Sequence, residues 1–451
     1  MQECWSSRTP PVKSNASAAT AGLGSRKAAL QILAQVRSGK TFEVALDRSI
    51  GSLTEADRRL AHEMAAGVLR QRSVLDSRIA PLLPRGWASV NPELQDILRL
   101  GAYQLSDLDR VPDHAAVNTS VSLAREAGGA RAAAFVNAVL RRVSRAAPVS
   151  AIIPVDPAER LAVEHSHPVW LVRRWMRTFG LAGAKGLLRW NNSRPSLVLQ
   201  AARKDLDWLA AQWRDSGIVV EPAPYGAGLL TSVGRPADLP GFREGAFMVQ
   251  DAAQALLARF ADVPPGALVY DACAAPGGKT ISQGRKARMV IAGDVSPARA
   301  RRLVENLRRA GSGRERVVVA DARRPPLRQA DAVLVDAPCL GTGTFARHPD
   351  ARWRVMPEML TSLEKLQREI LGQAATLVPP GGLLVYSTCS LEPEENQMQV
   401  EGFLSRHPGF SRERTVDLPE DLLSAEGDLM ILPQIHGMDG AFAARFRRRY
   451  Q

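Results

Sequence analysis

The chain has 451 residues, too many for one hydrophobic core, so two or three domains are expected. Hydrophobic residues make up 45% and charged residues 23%, and no run of about 18 uncharged apolar residues is present, so no membrane span is expected. The formal net charge of +13 favours phosphate-rich partners through counterion release, although a basic solvated surface has the same composition.

Met1 to Gly24 is rich in Ser, Ala, Thr and Pro and lacks the compact apolar run of a secretory signal. It reads as a flexible tail over 1–24. The segment is acid-poor but carries few basic residues, which argues against an organellar transit peptide. Residues 25–148 read as helical. Leu94, Ile97 and Leu98 fall at i, i+3 and i+4 and share one helical face, and Arg, Ala and Leu dominate the region.

Residues 149–241 are mixed. Trp170, Leu171, Trp175 and Met176 predict an amphipathic helix whose aromatics serve a core. Short strands are expected at Leu197–Leu199 and Ile218–Val220, flanking a helix near Trp208. A small α+β module follows. Over 242–451, short apolar runs alternate with helical stretches. Strands are expected at Ala267–Ala272, Met289–Gly293, Arg316–Ala320, Ala332–Val335 and Leu383–Ser387. Helices are expected at Pro297–Arg309, Pro357–Leu377 and Glu394–Ser405. Such alternation predicts a parallel α/β sheet that binds ligands along the carboxyl ends of its strands.

The segment Asp271-Ala272-Cys273-Ala274-Ala275-Pro276-Gly277-Gly278-Lys279-Thr280 follows the first of these strands. Its glycines let the backbone approach a ligand at the start of the next helix. Asp294 closes the following strand, where an acid reaches ribose hydroxyls, and Asp321 closes the third, within reach of an adenine amino group. Two other readings stand beside this one. Gly278-Lys279-Thr280 matches the end of a P-loop, but Cys273 occupies the place of its opening glycine. A purely structural glycine turn is the second.

Of four cysteines, Cys4, Cys273, Cys339 and Cys389, none forms a CxxC pair, which argues against a structural zinc. With no export signal, the thiols are expected to be reduced in a cytoplasm. Cys273 reads as a packed loop residue. Asp336-Ala337-Pro338-Cys339 and Ser387-Thr388-Cys389-Ser390 end the fourth and fifth strands, so two thiols and an acid meet the ligand edge.

At these residues the sequence resembles the RsmB/Sun family of rRNA cytosine-5 methyltransferases. The matching pieces are Asp271–Thr280, Asp336–Thr344 with Arg347-His348-Pro349-Asp350, Ser387–Asn396, and His436-Gly437-Met438-Asp439-Gly440. The helical region is similar to the family's NusB-like domain at Gly67-Val68-Leu69-Arg70, Gly101-Ala102-Tyr103-Gln104, 111–118 and Val136-Asn137-Ala138-Val139-Leu140-Arg141. Where the family's middle module carries an Arg-Val-Asn-like strand, Leu199-Gln200-Ala201-Ala202 stands here.

The resemblance implies an all-α NusB-like domain, a small α+β linking module and an α/β Rossmann-like methyltransferase domain. It implies S-adenosyl-L-methionine as cofactor, held by Cys273, Ala274, Ala275, Pro276, Gly277, Gly278 and Lys279 with Asp294, Asp321 and Asp336. Cys389 would be the nucleophile, Cys339 would assist release, and Asp336 would also face the target base. The chemistry accounts for such a set. Cytosine C5 attacks a sulfonium methyl only after a thiolate adds to C6, and covalent catalysis divides that hard step. A protonated Asp336 would stabilise the adduct at N3. Small-subunit (16S) rRNA is the expected partner, for a cytoplasmic monomer without metal or membrane. Arg141, Arg142 and a tail of Arg445, Arg447, Arg448 and Arg449 are candidates for rRNA phosphates. A non-catalytic RNA-binding, antitermination-like protein is the rival reading, and a P-loop NTPase the third.

Overall fold

The computed structural model describes residues 22–145, 154–231, 235–414 and 418–450. The expected tail lies outside the described residues as far as residue 21, as does the expected domain end near residue 148. Contacts divide the chain into two units, Met1–Leu181 and Ala182–Gln451. The boundary falls beside Gly180, whose φ of 69° interrupts the helix Val169–Asn192.

The first unit is helical. Thr41, Thr54, Asn91 and Asp156 cap four of its helices, each accepting a backbone N–H of the first turn. The helix Pro92–Asp107 buries Ile97 and Leu98 completely, and Leu94 of the expected face is half-buried. Ile32, Met64, Ala65, Val136 and Leu140 complete that core. Trp175 and Leu171 are buried, as a core role requires. Charge also enters this interior. The Arg99 guanidinium bonds Asp76 at 2.6 and 2.8 Å and Asp96 at 3.0 Å, and Asp96 also pairs with Arg37. Buried charges persist only when paired in this way.

The second unit holds two sheets. The smaller contains β1 (Leu197–Ala201), β2 (Val220–Pro222), β3 (Leu229–Thr231) and β4 (Phe247–Val249), all antiparallel in the order β2-β3-β1-β4. The helix Leu206–Asp215 covers it with Leu209 and Trp213, and the Trp213 ring meets Phe247 edge-on at 5.1 Å. β3 and β4 span three residues each, too short for an alternating pattern to register, and β4 lies beyond residue 241.

The larger sheet contains β5 (Leu268–Asp271), β6 (Met289–Asp294), β7 (Glu315–Val319), β8 (Ala332–Asp336), β9 (Leu383–Thr388), β10 (Phe410–Arg412), β11 (Leu429–Ile431) and β12 (Ala441–Arg448). Its order is β10-β12-β9-β8-β5-β6-β7, with β11 also paired to β12. β5 to β9 are parallel, and every residue of β9 is buried, as two covered faces demand. β12 runs antiparallel to β9 and widens the sheet beyond the parallel set.

That last strand corrects one expectation. Arg445, Arg447 and Arg448 belong to β12 rather than to a phosphate-binding tail. Arg445 is 3% exposed and donates to Phe260 O at 3.0 Å and Glu413 at 2.9 Å. Arg447 also grips Glu413, at 2.5 and 2.8 Å, and Arg448 donates to Val378 O at 2.5 Å. The arginines satisfy carboxylates and the carbonyls at the ends of the helices Ala252–Ala261 and Pro357–Leu377, which would otherwise be left unpaired. Of the four, Arg449 alone is exposed.

Two motif glycines in the helical unit have a steric reason. A Cβ on Gly67 would stand 2.0 Å from Cζ of Tyr103, a buried ring whose hydroxyl bonds Glu63 at 2.7 Å. On Gly101 it would meet Leu140 Cδ1 at 2.4 Å. Gly67→Ala is therefore expected to destabilise this unit by about 1–3 kcal/mol through overpacking, read as a lower urea midpoint at unchanged slope. An unchanged midpoint would show that Tyr103 yields freely.

Candidate active site

Within the parallel set the spatial order β7-β6-β5-β8-β9 reverses between β5 and β8. Chains leave these two neighbours in opposite directions, and a crevice opens at their carboxyl ends. The cavity found there measures about 910 Å³, near the top of the range for ligand sites of roughly 300–1,000 Å³. Asp271, Cys273, Ala274, Ala275, Pro276, Gly278 and Lys279 line it on one side, and Asp336 and Cys389 on another.

The loop after β5 depends on two glycines. Gly277 has φ +111°, and a Cβ there would strike Leu303 Cδ1 at 2.7 Å. A Cβ on Gly278 would meet Gln250 Nε2 at 2.7 Å. Gly278 opens the helix Gly278–Gly284, which carries Lys279 into the cavity. Lys279 Nζ donates to Asp336 Oδ2 at 2.7 Å and also bonds Gln254 Oε1. Asp336 Oδ1 accepts the Ser387 hydroxyl at 2.9 Å. Both oxygens of this acid are thus engaged.

The parallel register sets Asp336 opposite Ser387. Three residues beyond the first and two beyond the second, the Cys339 and Cys389 sulfurs lie 3.4 Å apart. Both residues are half-buried. The Cys339 thiol is held well above its ordinary range, first by its hydrogen bond with Cys389 and next by burial. Cys339 thus keeps its proton beside the second sulfur. Cys273 also lines the cavity, but burial pushes its thiol up to about 12, the behaviour of a packed loop residue.

Asp294 and Asp321 are not among the lining residues. Asp294 ends β6, 2% exposed, and bonds Arg299, which does line the cavity. Asp321 lies two residues past β7, where its hydrogen bonds with the Arg323 side chain hold its carboxyl below the usual range.

The structure adds walls that motif reading did not assign. Arg347, His348 and Asp439, from two segments that carried the resemblance without a role, line the cavity together with Gln250, Asp251 and Gln254. Arg347 binds Asp251 at 2.5 Å and Asp439 at 2.9 Å. Burial, and then the Asp251 charge, push the Asp439 carboxyl up. The motif segments also meet through backbone. Gly343 N donates to Cys389 O at 3.0 Å, and Gly440 N to Gly343 O at 2.8 Å. A Cβ on Gly343 would stand 2.7 Å from Gly440 Cα. Asp251 accepts the Ala253 N–H at 2.9 Å as N-cap of the helix Ala252–Ala261, a role that by itself says nothing of a cavity. Gln200, at the departed middle strand, donates to Ala227 O at 2.8 Å and to Gln250 O at 3.3 Å, so it braces this wall.

Among the described residues, no group of three or more His, Cys, Asp or Glu stands ready to hold a metal, and no helix is long and apolar enough to cross a membrane. The cavity does contain unmet acceptors. Asp271 Oδ1, Gln250 Oε1 and Asp439 Oδ1 are buried without a hydrogen-bond partner among the described residues. Such atoms suit a cationic, donor-rich ligand, and S-adenosyl-L-methionine, with its ammonium and sulfonium groups, is one.

Residues 261–447 match the family model described as 16S rRNA methyltransferase RsmB/F, and residues 24–145 match that of the NusB family. The chain is 34% identical over 453 residues to the "Probable ribosomal RNA small subunit methyltransferase B" of Synechocystis, covering 94% of this chain and 100% of that one. It is 33% identical to "Ribosomal RNA small subunit methyltransferase B" of Vibrio cholerae, covering 94% and 98%. The solved structure of PH0851 shares the fold with a TM-score of 0.81 at 24% identity, over 95% of this chain and 99% of the other.

Burial first of all pushes Asp271 up to about 6. A cationic ligand favours its charged form, so binding releases a proton on the acid side of that value. Titration calorimetry should show S-adenosyl-L-methionine binding more tightly as pH rises from about 5 to about 7, then levelling. Asp271→Asn should flatten the profile. A flat profile in the unaltered protein would remove Asp271 from the ligand.

Proposed function

The chain belongs to the 16S rRNA methyltransferase RsmB/F family, and from that premise we propose that it methylates C5 of a cytosine in small-subunit rRNA through a covalent cysteine adduct. S-adenosyl-L-methionine is its cofactor and supplies an electrophilic methyl group. The observation that carries the proposal is a juxtaposition. Cys389 lines the same cavity as the 273–279 loop and Asp336, with the Cys339 sulfur 3.4 Å away.

In this reading Cys389 adds as thiolate to C6, which makes C5 nucleophilic enough to take the methyl group. Asp336, between Lys279 and Ser387, faces the base edge and hydrogen-bonds it. Cys339, after giving its own proton to solvent, then takes the C5 proton as thiolate. The electrons of that C–H bond restore the C5–C6 double bond and expel Cys389. The loop residues Cys273 to Lys279, with Asp294, Asp321 and Asp336, are the proposed cofactor contacts. Asp294 and Asp321 would share their carboxylates between cofactor hydroxyl or amino groups and Arg299 and Arg323. The helical domain, whose exposed Arg141 and Arg142 stand near its end, is the proposed rRNA-holding part, and the cytoplasm the proposed compartment.

Bisulfite sequencing of small-subunit rRNA, with and without the gene, is expected to lose one or more 5-methylcytosines with the gene. Identical patterns would sink the substrate. With purified protein, Cys339→Ala should accumulate a protein–RNA adduct on denaturing gels. Cys389→Ala should form none, and an adduct that survives it would move the nucleophile elsewhere.

A further inference from the structure

Beside the two cysteines lies a dipeptide that does not line the cavity. Glu395 ends the short turn Pro393–Glu395 and Asn396 joins it to the helix Gln397–Arg406, and both are buried, Glu395 at 0% and Asn396 at 5% exposure. Buried polar groups of this kind are costly unless every bond is made.

The bonds go to both cysteine turns, chiefly from Glu395 to that of Cys339 and from Asn396 to that of Cys389, although the Glu395 carboxylate also bonds Ser390, directly after Cys389. Glu395 Oε1 and Oε2 accept the Leu340 N–H at 3.1 and 3.2 Å, directly after Cys339. Oε1 also accepts Gln367 Nε2 at 2.8 Å, and the same nitrogen donates to Pro338 O at 2.9 Å, directly before Cys339. Asn396 does the same for the other sulfur. Its Oδ1 accepts the Thr388 hydroxyl at 2.5 Å and its Nδ2 donates to Ser390 O at 2.9 Å. The backbone between the two side chains is itself tied down, because the Tyr386 hydroxyl donates to Glu395 O at 2.7 Å.

We infer that Glu395 and Asn396 are positioning residues that set the reach of the two sulfurs, Glu395 with Gln367 governing Cys339 and Asn396 governing Cys389. The inference rests on the two-cysteine reading of the reaction and adds a division of labour to it. Neither residue touches the substrate. The titratable groups facing Cys339 are Cys389 and Tyr386 on and just beyond β9 and Glu395 on the turn; Gln367, from the helix Pro357–Leu377, is neutral. The Glu395 charge adds to the other influences that hold the Cys339 proton. Without that charge the thiol ionises at lower pH.

Single-turnover reactions with S-adenosyl-L-methionine and substrate RNA separate adduct formation from release. Asn396→Ala is expected to slow formation by about tenfold or more at little change in RNA KM, since a misplaced nucleophile costs rate rather than binding. Gln367→Met should leave formation nearly intact and slow release, so that adduct accumulates. Glu395→Gln keeps the Oε1 contacts and removes the charge, and should move the pH dependence of release to lower pH. Cofactor affinity should hold in all three. Equal slowing of both steps in these variants, or an unmoved pH profile in Glu395→Gln, would reduce the dipeptide to a structural prop. If Glu395→Gln fails to fold, the contrast between Asn396→Ala and Gln367→Met decides alone. Cys339→Ala run alongside keeps the failures apart. If it traps no adduct, the two-cysteine reading falls; if it traps one while the other variants do not split the steps, only this inference falls.

Discussion

The register between β8 and β9 is the constraint on which the site depends. Parallel pairing of Asp336 with Ser387 fixes where two strands end, and their next few residues deliver an acid, a hydroxyl and two thiols to one place. A shift of one residue would turn every side chain of one strand to the opposite face. The register is enforced by burial. β9 is covered along its whole length, and its neighbour β12 adds a third strand whose arginines tie it to the ends of the helices Ala252–Ala261 and Pro357–Leu377. The crevice needed for a ligand then follows from strand order alone, because β5 and β8 lie side by side where the winding reverses.

Around that crevice the protein accepts buried polarity and satisfies most of it. Arg347 joins Asp251, Asp439 and the Ser196 carbonyl, so the small sheet, the helix Ala252–Ala261 and the last motif segment converge on one guanidinium. Glu395 and Asn396 do similar work for the cysteine turns. Three of the buried acceptors left unsatisfied among the described residues belong to the cavity wall, at Asp271, Gln250 and Asp439, and others lie away from it, at Gln367, Gln397 and Gln434.

Much of this was legible in the sequence. The five parallel strands had apolar β-branched runs bounded by turn residues, and each was located to within about two residues. The cysteines and the 273–279 loop were legible because strand ends are where such folds bind ligands. Three things were not. β12 reads as Ala-Phe-Ala-Ala-Arg-Phe-Arg-Arg, whose arginines resemble a solvated tail until Glu413 and the Phe260, Val378 and Gly381 carbonyls are seen beside them. Glu395 follows Glu394 in what looks like an exposed helix start, yet only Glu395 turns inward. Asp251, Arg347 and Asp439 lie almost 200 residues apart at the extremes, and no local pattern announces an ion pair across that separation.

The central claim is that the sulfur of Cys389, and no other, bonds to the target base. RNA in which the target cytosine carries fluorine at C5 tests it most directly, because a C5 fluorine cannot be removed as a proton and the adduct cannot release. After reaction with S-adenosyl-L-methionine and proteolysis, mass spectrometry should place the nucleotide on the peptide that contains Cys389. Attachment at Cys339 or Cys273, or a complete absence of adduct on RNA that the protein methylates when unfluorinated, would contradict the account.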